Sequence, residues 1–187
     1  MDVREAIEKR RAYRALEAIE IDDSTISELA GTARLAGSCF NKQPWRFVFV
    51  RSPEMLDQLH ATLSKGNEWA EKASMIVAVF CRKTDDCVIN KREYYLFDTG
   101  MAVSAMILRA TELDLVAHPI AGFDPEAARD VLKIPNDFLL ITLLIMGKKS
   151  EDTSGLNNNQ IAAEKVRPPR RKPEEFFSLE KYSSKLS

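Results

Sequence analysis

The chain has 187 residues, 45% of them hydrophobic and 29% charged, and 27 Lys+Arg against 28 Asp+Glu leave a formal net charge of −1. This length suits one compact domain with room for an arm, and the balanced charge argues against wholesale nucleic-acid or polyanion binding, so an anion site has to be a local cluster of basic residues. Three cysteines without a CxxC and two histidines favour neither a disulfide framework nor a zinc or His-rich metal centre.

Residues 2–9 read as a short amphipathic helix with Val3, Ala6 and Ile7 on one face, followed at once by Lys9, Arg10, Arg11 and Arg14. A second helix is expected from Asp23-Ser24-Thr25, good N-cap chemistry, to Gly37. Trp45 to Val50 reads as a strand, and Ser52-Pro53 as the cap and first residue of a helix reaching about Leu63. The apolar run Met75 to Cys81 predicts a strand buried on both faces, and 82–90 a polar loop. The longest helical pattern runs from about Glu93 to Leu113, with Gly100, Ala102, Ser104 and Ala105 permitting close approach of another helix. Val116 is strand-like and leads into a turn at His118 to Phe123; Asp124-Pro125-Glu126 opens a helix ending near Leu132; Phe138 to Met146 is a strand closed by Gly147.

The remainder, 151–187, reads as an extended arm attached to a domain of residues 1–150. Pro168, Pro169 and Pro173 preclude a helix around them, and Phe176, Phe177, Leu179 and Tyr182 supply apolar anchors for wrapping another subunit. The order of elements predicts helices packed on one sheet, in an α+β or α/β domain. The longest strongly apolar run, 138–147, is about half the roughly 20 residues a helix needs to cross a bilayer. The first residues lack the apolar stretch of a signal peptide. The expectation is a cytoplasmic protein with no membrane and no nucleic-acid partner.

Four clusters could carry chemistry. Lys9 to Arg14 is either a solvated basic helix end or a phosphate site, for which the planar fork of Arg is suited. Ser38 to Arg46 is a polar loop between rigid elements, a common place for sites and also an ordinary connection. Pro119 to Phe123 is a turn in which Gly122 could let backbone approach a flat ligand. Arg167 to Lys172 is a run of cations, either solvated or recruited to an anion. The chain has only seven glycines, and no GxGxxG, P-loop, GxSxG or HExxH is present. Asp22-Asp23 and Asp85-Asp86 read as caps and loop polarity, and no metal site is expected.

The order of these clusters is more informative than any one. Arg10-Arg11-x-x-Arg14 precedes the SxxNxQPWRF element of Ser38 to Phe47; GNEWAEKA (66–73) precedes a buried strand; a long helix with small residues, the PIAGFD segment (119–124) and a proline-punctuated basic arm follow. This order resembles the nitroreductase family of FMN-dependent oxidoreductases over roughly residues 3–175. The resemblance implies an α+β, nitroreductase-like fold with a central, mostly antiparallel sheet flanked by helices, in a homodimer with FMN at the interface and the C-terminal arm embracing the partner. It places Arg10 on the FMN phosphate, Arg11 and Ala12 along the phosphate and ribityl chain, and Arg14 at the pyrimidine edge of the ring. Ser38, Cys39, Asn41 and Gln43 match the loop that reaches the flavin of the other subunit. Asn67 matches an amide that bonds the ring. Pro119, Ile120, Ala121 and Gly122 match the segment over the ring, with the N–H of Ala121 or Gly122 facing flavin N5. Arg171, with Arg170 as the alternative, matches the tail's phosphate ligands, so the two basic clusters are predicted to converge on one phosphate.

No protein residue is then catalytic in the strict sense; the flavin carries the chemistry, tuned by Arg14, Ala121 and Gly122. The implied activity is hydride transfer from NADH or NADPH through FMN to a nitroaromatic or quinone. The alternatives are another flavin reaction on the same scaffold, such as dehalogenation or ring oxidation, and a flavin-binding or redox-sensing protein without turnover. The chain departs from the family at Ala12, where Ser is usual, at Gly37, where Pro is usual, and at Ala121, where an acidic or polar residue is common. The short 83–93 region implies a compact, open pocket.

Overall fold

The computed structural model of the protein describes every residue except Lys185 and Ser187, so the end of the expected arm lies outside the described residues. Helix α1 (Val3–Lys9) starts on a capping box in which Asp2 accepts the Glu5 N–H and Glu5 accepts the Asp2 N–H. Strand β1 (Leu16–Glu17) was not expected; it is too short for any pattern to announce. Helix α2 (Asp23–Arg34) is capped by Asp22 and stops before Gly37. Strand β2 (Arg46–Val50), helix α3 (Pro53–His60) and strand β3 (Met75–Cys81) fall close to their expected places. The expected loop after β3 contains a small hairpin, β4 (Val88–Ile89) and β5 (Arg92–Glu93). Its turn is made by Asn90 and Lys91 at φ 49° and 67°, and the absence of a glycine there conceals the hairpin in the sequence. Helix α4 (Tyr95–Glu112), strand β6 (Val116–Ile120), helix α5 (Pro125–Leu132), strand β7 (Leu139–Lys149) and helix α6 (Asn158–Lys165) complete the chain.

All strand pairings are antiparallel. The main sheet runs β1-β7-β3-β2, with β6 also pairing β7. Every residue of β3 is buried, and alternate side chains serve two cores. Ile76, Ala78 and Phe80 join Leu56 and Leu59 of α3, Ala128 of α5 and Trp69. Met75, Val77 and Val79 join Leu29 and Ala33 of α2 and Ala102, Met106 and Ala110 of α4. The molecule is therefore three-layered: helices, one antiparallel sheet, helices, the α+β arrangement expected.

Two segments differ from the sequence expectation. His118, Pro119 and Ile120, expected in a turn, belong to β6. Among the described residues β6 pairs only with β7, and an edge strand tolerates the missing N–H of Pro119. The arm, expected to be extended from residue 151, first forms α6, where Asn157 and Gln160 make a reciprocal capping box. That box was present in the Leu156 to Gln160 stretch, and α6 ends at Lys165, ahead of the prolines. Among the described residues no helix is long and apolar enough to cross a membrane.

Leu144 is fully buried on β7 and packs with the α2/α4 core. Leu144→Ala should lower unfolding stability by about 2–5 kcal/mol, read by urea denaturation of the apoprotein.

Candidate functional site

Arg10 is the C-cap residue of α1, so its side chain leaves the helix where the chain turns extended. The segment that follows is clamped by the tail. Arg167 donates to the carbonyls of Glu8 (2.5 Å) and Arg10 (2.7 Å). Arg11 donates to the Ala163 carbonyl, and the Arg14 N–H donates to the Glu164 carboxylate at 2.9 Å. Half-burial, and then the neighbouring positive charges of Arg167 and Arg170, hold the Arg10 pKa below its usual value. Among the described residues, no carboxylate pairs with Arg10, Arg11, Arg14, Arg167, Arg170 or Arg171. Like charges gathered without counter-charge are arranged for an anion from outside the chain. The two basic clusters thus do meet. Arg167, read in the sequence only as one cation of a run, and Arg170 make the approach; Arg170 and Arg171 are both exposed.

Beside this cluster the Arg14 guanidinium lies over the Trp69 ring, 5.7 Å from its centre. Trp69 stacks on His118 at 4.7 Å with the planes 27° apart. His118 Nδ1 is 3.0 Å from the Tyr13 carbonyl, so it is the protonated nitrogen if neutral and bonded there. Burial first, and then the positive charges of Arg14 and Arg10, push the His118 pKa down to about 4 against the opposing hydrogen bond to Tyr13. A cleft of about 110 Å³ opens where Arg14 and Trp69 meet Lys72, Asp152 and Gly155.

Asn67 and Gly122 are also brought together. Asn67 Nδ2 donates to the Gly122 carbonyl at 2.8 Å, which the Ser64 N–H reaches as well at 3.0 Å. A Cβ on Gly122 would stand 2.2 Å from Asn67 Nδ2, so glycine is needed for close approach rather than for an unusual φ. Ala121 and Gly122 directly follow β6, and Pro119 and Ile120 are its last residues. Ala12 lies in the clamped segment and offers no polar side chain.

The loop of Ser38, Cys39, Asn41 and Gln43 is elsewhere. Ser38 Oγ accepts the Gln43 N–H at 3.0 Å, and Gln43 Nε2 donates to Asn41 Oδ1 at 3.0 Å. Phe40, Asn41 and Gln43 have positive φ, a curled turn that leaves the Phe40 ring exposed. The Cys39 N–H donates to Asp98 of α4 at 2.6 Å, which ties the loop to that helix. Next to it, burial raises the carboxyl pKa of Asp86, and burial with the neighbouring Cys39 thiol pushes Cys87 up to about 11. Such a thiol is a poor nucleophile. Among the described residues no hydrogen bond or ion pair joins this loop to Arg10, Arg14, Asn67 or Gly122.

Contacts run from Arg14 over Trp69 to Asn67 and the Gly122 carbonyl; Arg10 lies toward the start of β6, beside Leu115 and Val116, and the 38–43 loop forms a separate cluster tied to Asp98. Sequence reading passed over Arg167, Trp69, His118 and Glu164. Arg167 was visible as one cation of a run, but that its guanidinium is spent on carbonyls had no signal in the sequence.

The model of the nitroreductase family matches residues 7–148. The NADH dehydrogenase of Thermus thermophilus is 25% identical over 197 aligned residues, covering 89% of this chain and 95% of its own length. A crystal structure of an oxidoreductase containing FMN superposes with a TM-score of 0.83 at 24% identity, over 95% of this chain and 91% of its own. The FMN-dependent nitroreductase of Clostridium difficile R20291 has a TM-score of 0.68 at 22% identity, over 86% of this chain and 95% of its own. At these identities the two structures establish a shared fold.

Because His118 is held neutral, the unfolded chain binds its proton first as pH falls. The stability this group contributes is complete above pH 6.5 and is lost between there and about pH 4, at roughly 1.4 kcal/mol per pH unit. His118→Phe should flatten unfolding free energy against pH in that window, measured by urea denaturation at each pH.

Proposed function

The chain belongs to the nitroreductase family, and we propose that it is an FMN-dependent oxidoreductase that takes electrons from NADH or NADPH and passes them to a flat, electron-poor acceptor such as a nitroaromatic or a quinone. The observation that carries this reading is the uncompensated charge around Arg10, half-buried beside Arg167 and Arg170 with no carboxylate partner among the described residues. A phosphate dianion relieves that repulsion. The residues fit the group on a second count: Gly122 lets the Asn67 amide pack directly on the backbone after β6, which holds a polar side chain and a main-chain segment together. The FMN-containing fold relative supports the same choice of cofactor.

When bound, FMN supplies a ring that accepts a hydride equivalent and releases it to a second substrate. The protein's part is binding and electrostatics. Arg10 and Arg170, with Arg171 on the same tail, hold the phosphate by charge-assisted bonds. Arg167 orients Arg10 by gripping the carbonyls on either side of the turn. Arg11 and Ala12 line the phosphate and ribityl path. Arg14 stabilises negative charge developing at the pyrimidine edge, a fixed cation already in place before reaction. Asn67 bonds the ring edge. The Ala121–Gly122 backbone, which follows Pro119 and Ile120 at the end of β6, would offer an N–H to the ring. No acid–base residue is required of the chain.

Ser38, Cys39, Asn41 and Gln43 serve the flavin of a partner subunit, in a homodimer of two 1–150 domains; the tail from 151 stays on its own chain as far as Arg167, and the stretch beyond embraces the partner. What supports this is apolar surface without cover. Phe176, Phe177, Leu179 and Tyr182 of the tail are exposed, as are Leu96 and Phe97 of α4. On the same helix a side chain on Gly100 would meet nothing, which leaves room for another helix.

The purified protein should bind FMN, be yellow, and bleach on anaerobic addition of NADH or NADPH, with colour restored by a quinone. A protein that cannot be loaded with FMN overturns the reading, and binding without bleaching favours a flavin-binding protein without turnover. Arg10→Ala should weaken FMN by roughly 10-fold or more, since a hydrogen bond to a charged group is worth about 1.5–3 kcal/mol; fluorescence titration reads it. Truncation after Lys172 keeps α6 and the arginines but removes the apolar anchors, and should shift the protein from dimer to monomer on sedimentation. A persistent dimer would sink the embracing tail.

A further inference from the structure

Asn67, Arg14 and Gly122 come from three separate stretches of chain, and one side chain touches or orders all of them. Trp69 sits in a short 3₁₀ turn (Glu68–Lys72) and is 6% exposed. Its indole Nε1–H donates to Asn67 Oδ1 at 3.2 Å. Asn67 Nδ2 in turn donates to the Gly122 carbonyl at 2.8 Å. The same indole ring carries the Arg14 guanidinium at 5.7 Å and stacks on His118, whose Nδ1 meets the Tyr13 carbonyl just before Arg14.

We propose that Trp69 is a positioning residue of the flavin site: its indole N–H fixes the orientation of the Asn67 carboxamide, and through Asn67 it holds the Gly122 carbonyl. The argument rests on hydrogen-bond polarity. A carboxamide can turn end for end at little cost because oxygen and NH₂ have nearly the same shape. Here each end faces a group that works in one sense only. The indole N–H can only donate, so it must meet Oδ1; the Gly122 carbonyl can only accept, so it must meet Nδ2. Together they leave one N–H and one lone pair of Asn67 for a ligand, each in a fixed place. The Gly122 carbonyl, shared by Asn67 and the Ser64 N–H, cannot turn without breaking both bonds, so the backbone at 121–122 is set by the same chain of contacts. Without the indole donor Oδ1 loses its partner, and the Gly122 carbonyl alone holds the amide.

This inference rests on the flavin reading of the site, and the test separates the two. Trp69→Phe keeps an aromatic ring against His118 and Arg14 and removes the N–H together with part of the buried indole, a packing loss that the apoprotein melts report. FMN affinity is measured by fluorescence titration in the wild type, Trp69→Phe, Asn67→Ala and the double variant, with thermal melts of the apoproteins alongside. Trp69→Phe should weaken FMN by about three- to tenfold, one hydrogen bond's worth. In the Asn67→Ala background the same change should have no further effect, because Trp69 acts through that amide. Equal weakening in both backgrounds, or none in the first, overturns the proposal and leaves Trp69 as packing alone.

A second measurement needs neither FMN nor the Phe variant. In the apoprotein, Asn67→Ala should move the Trp69 indole N–H resonance upfield and speed its exchange, and an unchanged resonance also overturns the proposal. A wild type that shows this shift yet binds no FMN overturns the function reading and, with it, the flavin role of Trp69.

Discussion

The contact on which the site depends is between the two ends of the chain. Arg167 grips the carbonyls of Glu8 and Arg10, Arg11 reaches the Ala163 carbonyl, and the Glu164 carboxylate takes the Arg14 N–H. These bonds run between side chains and backbone, so they fix the path of residues 8–14 without using the guanidinium groups of Arg10 and Arg14. They also concentrate positive charge. Bringing Arg167 and Arg170 to a half-buried Arg10 raises the cost of charge on Arg10, and among the described residues no carboxylate pairs with its side chain. A fold retains such an arrangement when a ligand supplies the missing charge.

The sheet supplies the other half of the geometry. On β6, Val116, His118 and Ile120 share one face by strand alternation, and that face meets the core containing Trp69. Pairing of β6 with β7 therefore decides where the His118 ring lies, and the ring supports the indole that orders Asn67. Ala121 and Gly122 leave the end of the same strand. A buried imidazole, a buried indole and an ordinary edge strand thus act as a mounting for groups that would otherwise sit on unconnected loops.

The 38–43 loop obeys a different constraint. Three residues with positive φ curl it tightly, and the Cys39 N–H anchors it to Asp98, which is 1% exposed near the start of α4. An acid inside the first turns of a helix is favoured by the exposed N–H groups there, so the anchor also suits the helix. The loop is held with no hydrogen bond or ion pair to Arg10 or Arg14 of its own chain among the described residues, and so it enters the proposal as the part offered to a partner subunit.

Much of this protein was legible in its sequence. The run from Met75 to Cys81 is buried throughout because an apolar stretch without polar alternation has no face to give to water. Asp2, Asp22 and Asp124 start helices because their carboxylates take free backbone N–H groups. The Arg10 and Arg170 clusters were visible as runs of cations. All of these are local rules, acting within one or two turns of chain. What only the tertiary structure decided is partnership over long separations: that Arg167 binds carbonyls at Glu8 and Arg10 instead of an anion, that His118 lies in a strand under Trp69, and that Asn67 spends its amide on Gly122. A side chain's type sets which bonds it can make, but its available partners are chosen by packing, and packing is a property of the whole sheet and the helices against it.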